Sequence, residues 1–139
     1  MSDARRDEQR AVALLKEGIE KGAAGDLAGA RIGLTAALEI DPRQYDAWYN
    51  LGNVHRNEKQ FERAAACYRT AIGIDRSNHP SHYQLGLVLE AAGRALEAIA
   101  AYREAVRTSP NPGGHWGYRG LDFTAKAEAA LQRLDGRHG

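Results

Sequence analysis

Shifted by 34 residues, this chain falls onto itself. Leu14, Trp48, His82 and Trp116 align, and four residues later so do Gly18, Gly52, Gly86 and Gly120. The same offset superimposes Ala30, Ala64 and Ala98, then Leu34, Tyr68 and Tyr102, then Ala37, Ala71 and Ala105. A fixed period of this length marks a supersecondary unit that cannot bury its apolar face alone and must stack on copies of itself.

Within the middle unit, Trp48, Gly52 and His55 fall at i, i+4 and i+7, one face of an α-helix. The same spacing in each unit predicts a helix A. A turn follows within GAAGDLAGA, NEKQFERAA and AAGRALEAI. Small and large apolar residues then alternate, as in Ala64, Tyr68 and Ala71, and predict a helix B. Glycine inside a helix costs about 1 kcal/mol relative to alanine, so its recurrence at one position needs a packing reason. The expectation is that each glycine of helix A faces an alanine of helix B, letting two backbones cross closely. Asp41-Pro42 and Ser109-Pro110 should end helix B, because the residue before proline is driven out of the α region. Ser2 is expected to cap a long first helix that begins near Asp3.

The period, the pattern in WYNLGNVH and the later Ala, Tyr, Ala and Pro positions resemble the tetratricopeptide repeat, a 34-residue helix-turn-helix. The resemblance covers repeats 11–44, 45–78 and 79–112, the middle one matching best. Glu17 and Arg119 stand where Leu51 and Leu85 do, and Arg76 stands where the family has proline. The resemblance implies an all-α fold, a right-handed α-α superhelix of three helix pairs. Residues 1–139 then form one domain, closed by a capping helix at about 114–135 that carries the apolar stripe Phe123, Ala127, Ala130, Leu131 and Leu134.

Composition removes several function classes. Lys and Arg number 19 against 18 Asp and Glu, so no whole-molecule field draws the chain to nucleic acid or to an anionic membrane. No run of about 18 apolar residues occurs, so membrane insertion is not expected and a cytoplasmic location is. Cys67 is the only cysteine, which excludes an intramolecular disulfide and a thiolate zinc cluster. The segment NPGGHWGYRG looks like a phosphate loop but lacks the preceding strand and the lysine; at the repeat offset it is the start of a fourth helix A. His55 and His82 occupy aromatic positions of their helices, and no carboxylate or thiolate completes a metal-ligand set with them at a recognised spacing. Neither an enzyme nor a metal or other cofactor is expected.

The second stripe of each helix A remains. In the family this stripe lines a concave groove that takes a peptide or helix segment of another protein, which is the partner implied here. The residues so placed are Tyr49, Asn50, Asn53, Arg56 and Asn57 in the second repeat and Tyr83, Gln84 and Leu87 in the third. Asparagines can both donate to and accept from a peptide backbone, Arg56 can meet a carboxylate, and tyrosine with Leu87 supplies apolar area. The alternative is self-assembly into a homo-oligomer through Leu15 and Ile19 on the groove side of the first repeat. Family members that grip the acidic C-terminus of large chaperones carry a two-carboxylate clamp. Its positions here are Leu15, Ile19, Asn50, Pro80 and Gln84, of which only Asn50 fits; one repeat along they are Tyr49, Asn53, Gln84, Gly114 and Tyr118. Without the clamp's basic residues, a chaperone-tail peptide ending in acidic residues should bind no more tightly than a scrambled control in a calorimetric titration.

Overall fold

The computed structural model describes residues 2–109 and 122–138. Seven α-helices make up the regular structure of the described residues: α1 (Asp3–Ala23), α2 (Leu27–Ile40), α3 (Tyr45–Asn57), α4 (Phe61–Ile74), α5 (His79–Ala91), α6 (Ala95–Arg107) and α7 (Thr124–His138). Each helix from α1 to α6 packs on its successor, and α7 packs on α6. The result is an all-α helical-repeat superhelix of stacked pairs.

Local chemistry places the helix ends. The Ser2 hydroxyl accepts the Arg5 N–H (3.2 Å), the Asp26 carboxylate accepts from Gly29 (2.9 Å), and the Asn78 side chain accepts from Ser81 (3.3 Å). Each satisfies an N–H that the first turn leaves unpaired. The turns within the pairs pass through Gly25, Lys59 and Gly93 at φ of 86°, 60° and 81°. These positions are one period apart, and the left-handed conformation suits glycine while Lys59 pays a steric penalty for it. Between pairs, Asp41 and Asp75 turn extended and accept the N–H groups of Arg43 and Ser77. Trp48 then donates its indole N–H to the Pro42 carbonyl (2.8 Å), and His82 donates from Nε2 to the Arg76 carbonyl (2.9 Å). His82 therefore replaces tryptophan as a ring N–H donor to the same turn.

The glycine pattern has a different cause from the one expected. A Cβ on Gly52 would lie 2.6 Å from Tyr68, and one on Gly86 would lie 2.6 Å from Tyr102. Each glycine makes room for the aromatic ring of its helix B, not for an alanine. Alanine was the wrong partner because the tyrosine, longer than its alanine neighbours, crosses the interface and lies along the bare backbone of helix A. In the first pair Leu34 covers Gly18, and there the backbones do approach closely, since a Cβ on Gly33 would sit 3.1 Å from the Gly18 Cα. Ala30, Ala37, Ala64, Ala71, Ala98 and Ala105 are fully buried in the core.

The C-terminal cap was expected as a helix over about 114–135. Among the described residues it starts at Thr124, with Asp122 and Phe123 outside it. The Asp122 carboxylate accepts both the N–H (3.0 Å) and the hydroxyl (2.5 Å) of Thr124, which holds the chain in a turn before the helix. Residues 110–121, with Trp116, Tyr118 and Gly120, lie outside the described residues. Ala127, Ala130 and Leu134 are buried against the preceding pair.

Glycine substitutions separate packing from propensity. Gly52→Ala and Gly86→Ala should each destabilise by about 1–3 kcal/mol, the usual cost of overpacking, because Tyr68 and Tyr102 are fully buried and cannot withdraw. Gly73→Ala, with nothing within 4 Å of the new methyl, should stabilise by about 0.5–1 kcal/mol. Urea denaturation of the three variants checks the opposite signs.

Candidate functional site

Helix α3 brings the second-repeat stripe to the groove. The Asn50 amide donates to the Asp46 carbonyl (2.7 Å), and Asn57 is exposed. The Asn53 carbonyl accepts the hydroxyl proton of Tyr68 (2.5 Å), so the tyrosine that packs on Gly52 also fixes a groove side chain. Burial raises the pKa of Tyr68. It raises that of Tyr49 as well, opposed by hydrogen bonds with Gln84 and Asn53 and by the Arg56 charge. The Arg56 guanidinium donates to the Gln84 carbonyl, and the Gln84 amide points back to the Tyr49 hydroxyl (3.5 Å). Among the described residues no carboxylate lies within ion-pair distance of Arg56. A neutral amide, that of Gln84, holds its charge in place.

Asn50, Asn53, Arg56 and Asn57 converge on a cleft of about 250 Å³ between the first two repeats. Its other lining comes from Gly18, Ile19 and Gly22 of α1 and from Leu27, Ala30 and Leu34 of α2. The third-repeat residues sit differently. Tyr83 is 8% exposed, with its ring stacked on Phe123 (4.6 Å between centroids, 8° between planes) and tilted against Tyr102. Gln84 is buried, and Leu87 is half-buried. Tyr83 and Gln84 thus serve the packing of the groove wall, which limits the area they can offer a ligand. Ile19 and Val12 are exposed, whereas Leu15 is partly withdrawn against the core of the first two repeats.

Glu90, one period after Arg56, is tied into the fold: it accepts the Tyr102 hydroxyl (2.8 Å) and two hydrogen bonds from Arg133 of α7. Cys67 is buried, and desolvation pushes its thiol up to about 11, far from the thiolate a nucleophile needs. Among the described residues no three His, Cys, Asp or Glu side chains gather at one point, and no helix is long and apolar enough to cross a membrane.

Stacked helix pairs of this kind define a helical-repeat protein. Two family models, each described as tetratricopeptide repeat, match the chain, one over residues 45–78 and the other over residues 79–112. The chain belongs to the tetratricopeptide repeat family, whose fold serves as a protein-interaction module. Among curated proteins it is similar to the N-terminal acetyltransferase A complex auxiliary subunit NAA15 of Arabidopsis thaliana, 29% identical over 105 residues. That match covers 73% of this chain but 12% of the relative. Among solved structures it is similar to the O-GlcNAc transferase of Thermobaculum terrenum, with a TM-score of 0.76, 26% identity and coverage of 96% of this chain and 23% of the other. The first tetratricopeptide domain of Spaghetti, bound to an HSP90 peptide, superimposes with a TM-score of 0.77 at 19% identity, over 93% of this chain and 95% of that one. The Yersinia enterocolitica type III secretion chaperone SycD, in complex with a peptide of the translocator YopD, gives a TM-score of 0.82 at 15% identity over 91% and 93%.

His79 ties the cap to the groove wall, and periodicity gave no signal for it, since Ala11 and Tyr45 occupy its positions in the other repeats. Fully buried, it donates from Nδ1 to the Ala105 carbonyl (2.8 Å) and accepts the Phe123 N–H at Nε2 (2.8 Å). That pair of bonds requires the neutral ring. Burial lowers its pKa and His82 adds to the shift, against the opposing pull of the Ala105 carbonyl and of Asp122 at 3.7 Å. The unfolded chain therefore binds the proton first as pH falls, and stability from this site is lost below about 6.5. An NMR titration should find His79 as the Nδ1–H tautomer at pH 7, protonating below about 6.5 with the first-turn amides of α7 moving in step. An ordinary or raised pKa would contradict the geometry.

Proposed function

We propose that this chain is a non-catalytic, cytoplasmic adaptor that holds a peptide or helix of another protein in its concave groove. The observation that carries the reading is the convergence of Asn50, Asn53, Arg56 and Asn57 on one cleft, with Arg56 positioned by Gln84 and lacking a carboxylate partner among the described residues. Amides that can bond a main chain, a fixed cation and an apolar floor are the chemistry of peptide capture. Peptides bound to similar folds in Spaghetti and SycD support the reading at the level of the fold. Tyr49 and Leu87 extend the contact area along the stripe.

The test is affinity capture on the immobilised chain, identification of the bound protein, and calorimetry with the purified partner. Replacing Asn53 and Arg56 together by alanine should raise Kd by about tenfold or more, since hydrogen bonds to charged groups contribute about 1.5–3 kcal/mol each. Thermal denaturation of the double variant controls for the lost Tyr68–Asn53 bond. An unchanged Kd in a folded variant places the working surface elsewhere.

A further inference from the structure

The cleft between the first two repeats exists because the first repeat is built from smaller residues than the second. At the 34-residue offset, Gly22 stands where the second repeat has Arg56, Leu27 where it has Phe61, and Leu34 where it has Tyr68. In the second repeat these larger side chains close the space: the Tyr68 hydroxyl reaches Asn53, and the Arg56 guanidinium reaches across to Gln84. In the first repeat Leu34 ends short of that reach, and Gly22 has no side chain. A Cβ built on Gly22 meets only the Ala30 methyl, at 3.5 Å. The cavity is thus the space of a missing phenol. Its volume of about 250 Å³ can be compared with the roughly 150 Å³ that accommodates a benzene in an engineered protein cavity.

We infer that this cleft receives one aromatic side chain of the bound peptide, with Arg56 taking a carboxylate on the residue next to it. The inference rests on the groove reading and deepens it by naming the ligand's chemistry. Ile19, Leu27 and Leu34 give the ring apolar walls, and Asn53, which bonds the chain's own Tyr68 hydroxyl, lies at the same cleft. A tyrosine from the partner therefore meets the kind of environment that the protein gives its own tyrosine one repeat along. Arg56 supplies the charge complementarity. One of its N–H groups is engaged by Gln84, and the guanidinium fork can still offer a carboxylate paired donors. This differs from a two-carboxylate clamp, because the apolar anchor carries the recognition and a single cation orients it.

The test follows backbone amides of the isotopically labelled full chain by NMR during titration with an acetylated hexapeptide, tyrosine then glutamate at its centre and glycine and serine on each side. Amides of Gly18, Gly22, Asn53 and Asn57 should shift and saturate. Changing the peptide's tyrosine to alanine, or its glutamate to glutamine, should weaken binding by about tenfold in each case. Leu34→Tyr fills the cleft with the ring that the next two repeats carry. Gly22→Met fills it from α1 with a flexible side chain and keeps the test open if the first variant folds poorly. Either folded variant should lose the shifts. The inference is overturned if the filled variants bind as the parent does, if a leucine peptide binds as well as the tyrosine peptide, or if no peptide shifts the cleft amides. Shifts confined to Tyr49 and Leu87 would overturn the cleft and leave the groove reading standing; the groove reading itself falls only on the capture experiment.

Discussion

A tyrosine ring lying on the bare backbone of a glycine sets the geometry of the second and third helix pairs. The ring carries much of the area that each pair buries, and the absent Cβ lets it lie along helix A. The contact has a second consequence on the far side of the helix. Once the ring is fixed, its buried hydroxyl donates to a side chain of helix A, Tyr68 to Asn53 and Tyr102 to Glu90. Packing inside the pair thereby sets the rotamers of side chains on the binding face. A groove residue held in this way loses less freedom when it takes a ligand. The first pair, with Leu34 in place of tyrosine, lacks this coupling, and the same substitution that weakens the link opens the cleft.

The repeat made the architecture legible because a period constrains every unit at once. The pairing of helices follows from it, while the stop at Asp41-Pro42 and the cap at Ser2 follow from the local chemistry of proline and serine. What periodicity does not report is which atoms of aligned residues meet. The glycine was assigned an alanine partner because both are small, whereas the backbone gap exists for the largest residue nearby. Lys59 is the converse case: Gly25 and Gly93 flank it by one period, and their shared signal for positive φ was present in the sequence. Tyr83 and Gln84 were placed on the groove by analogy with Tyr49 and Asn50. That analogy takes no account of Phe123, one period after Leu89, whose ring stacks on Tyr83.

Function within the repeat follows hydrogen-bond role more closely than residue identity. Trp48 and His82 differ in size and ring chemistry, yet each delivers a ring N–H to the carbonyl that begins the preceding turn. Arg76 in place of proline leaves that carbonyl in use. His79, by contrast, has no counterpart among the repeats: Ala11 and Tyr45 stand at its positions, and its two ring nitrogens bond Ala105 and Phe123.

The stripe is electrostatically asymmetric, and the asymmetry runs along it. Arg56 and Glu90 occupy the same repeat position one unit apart. Glu90 is bonded by Arg133 and by the Tyr102 hydroxyl, so its charge is largely consumed within the fold. Arg56 faces Gln84, a neutral acceptor that fixes the guanidinium without cancelling it. A glutamate at position 84 would have formed an ion pair in the groove wall and left the surface without a net field. Choosing the amide keeps a positive end beside the open cleft and a compensated end beside the cap. If the proposed reading holds, this asymmetry gives an extended ligand a direction as well as a place, with its acidic end at the junction of the first and second repeats.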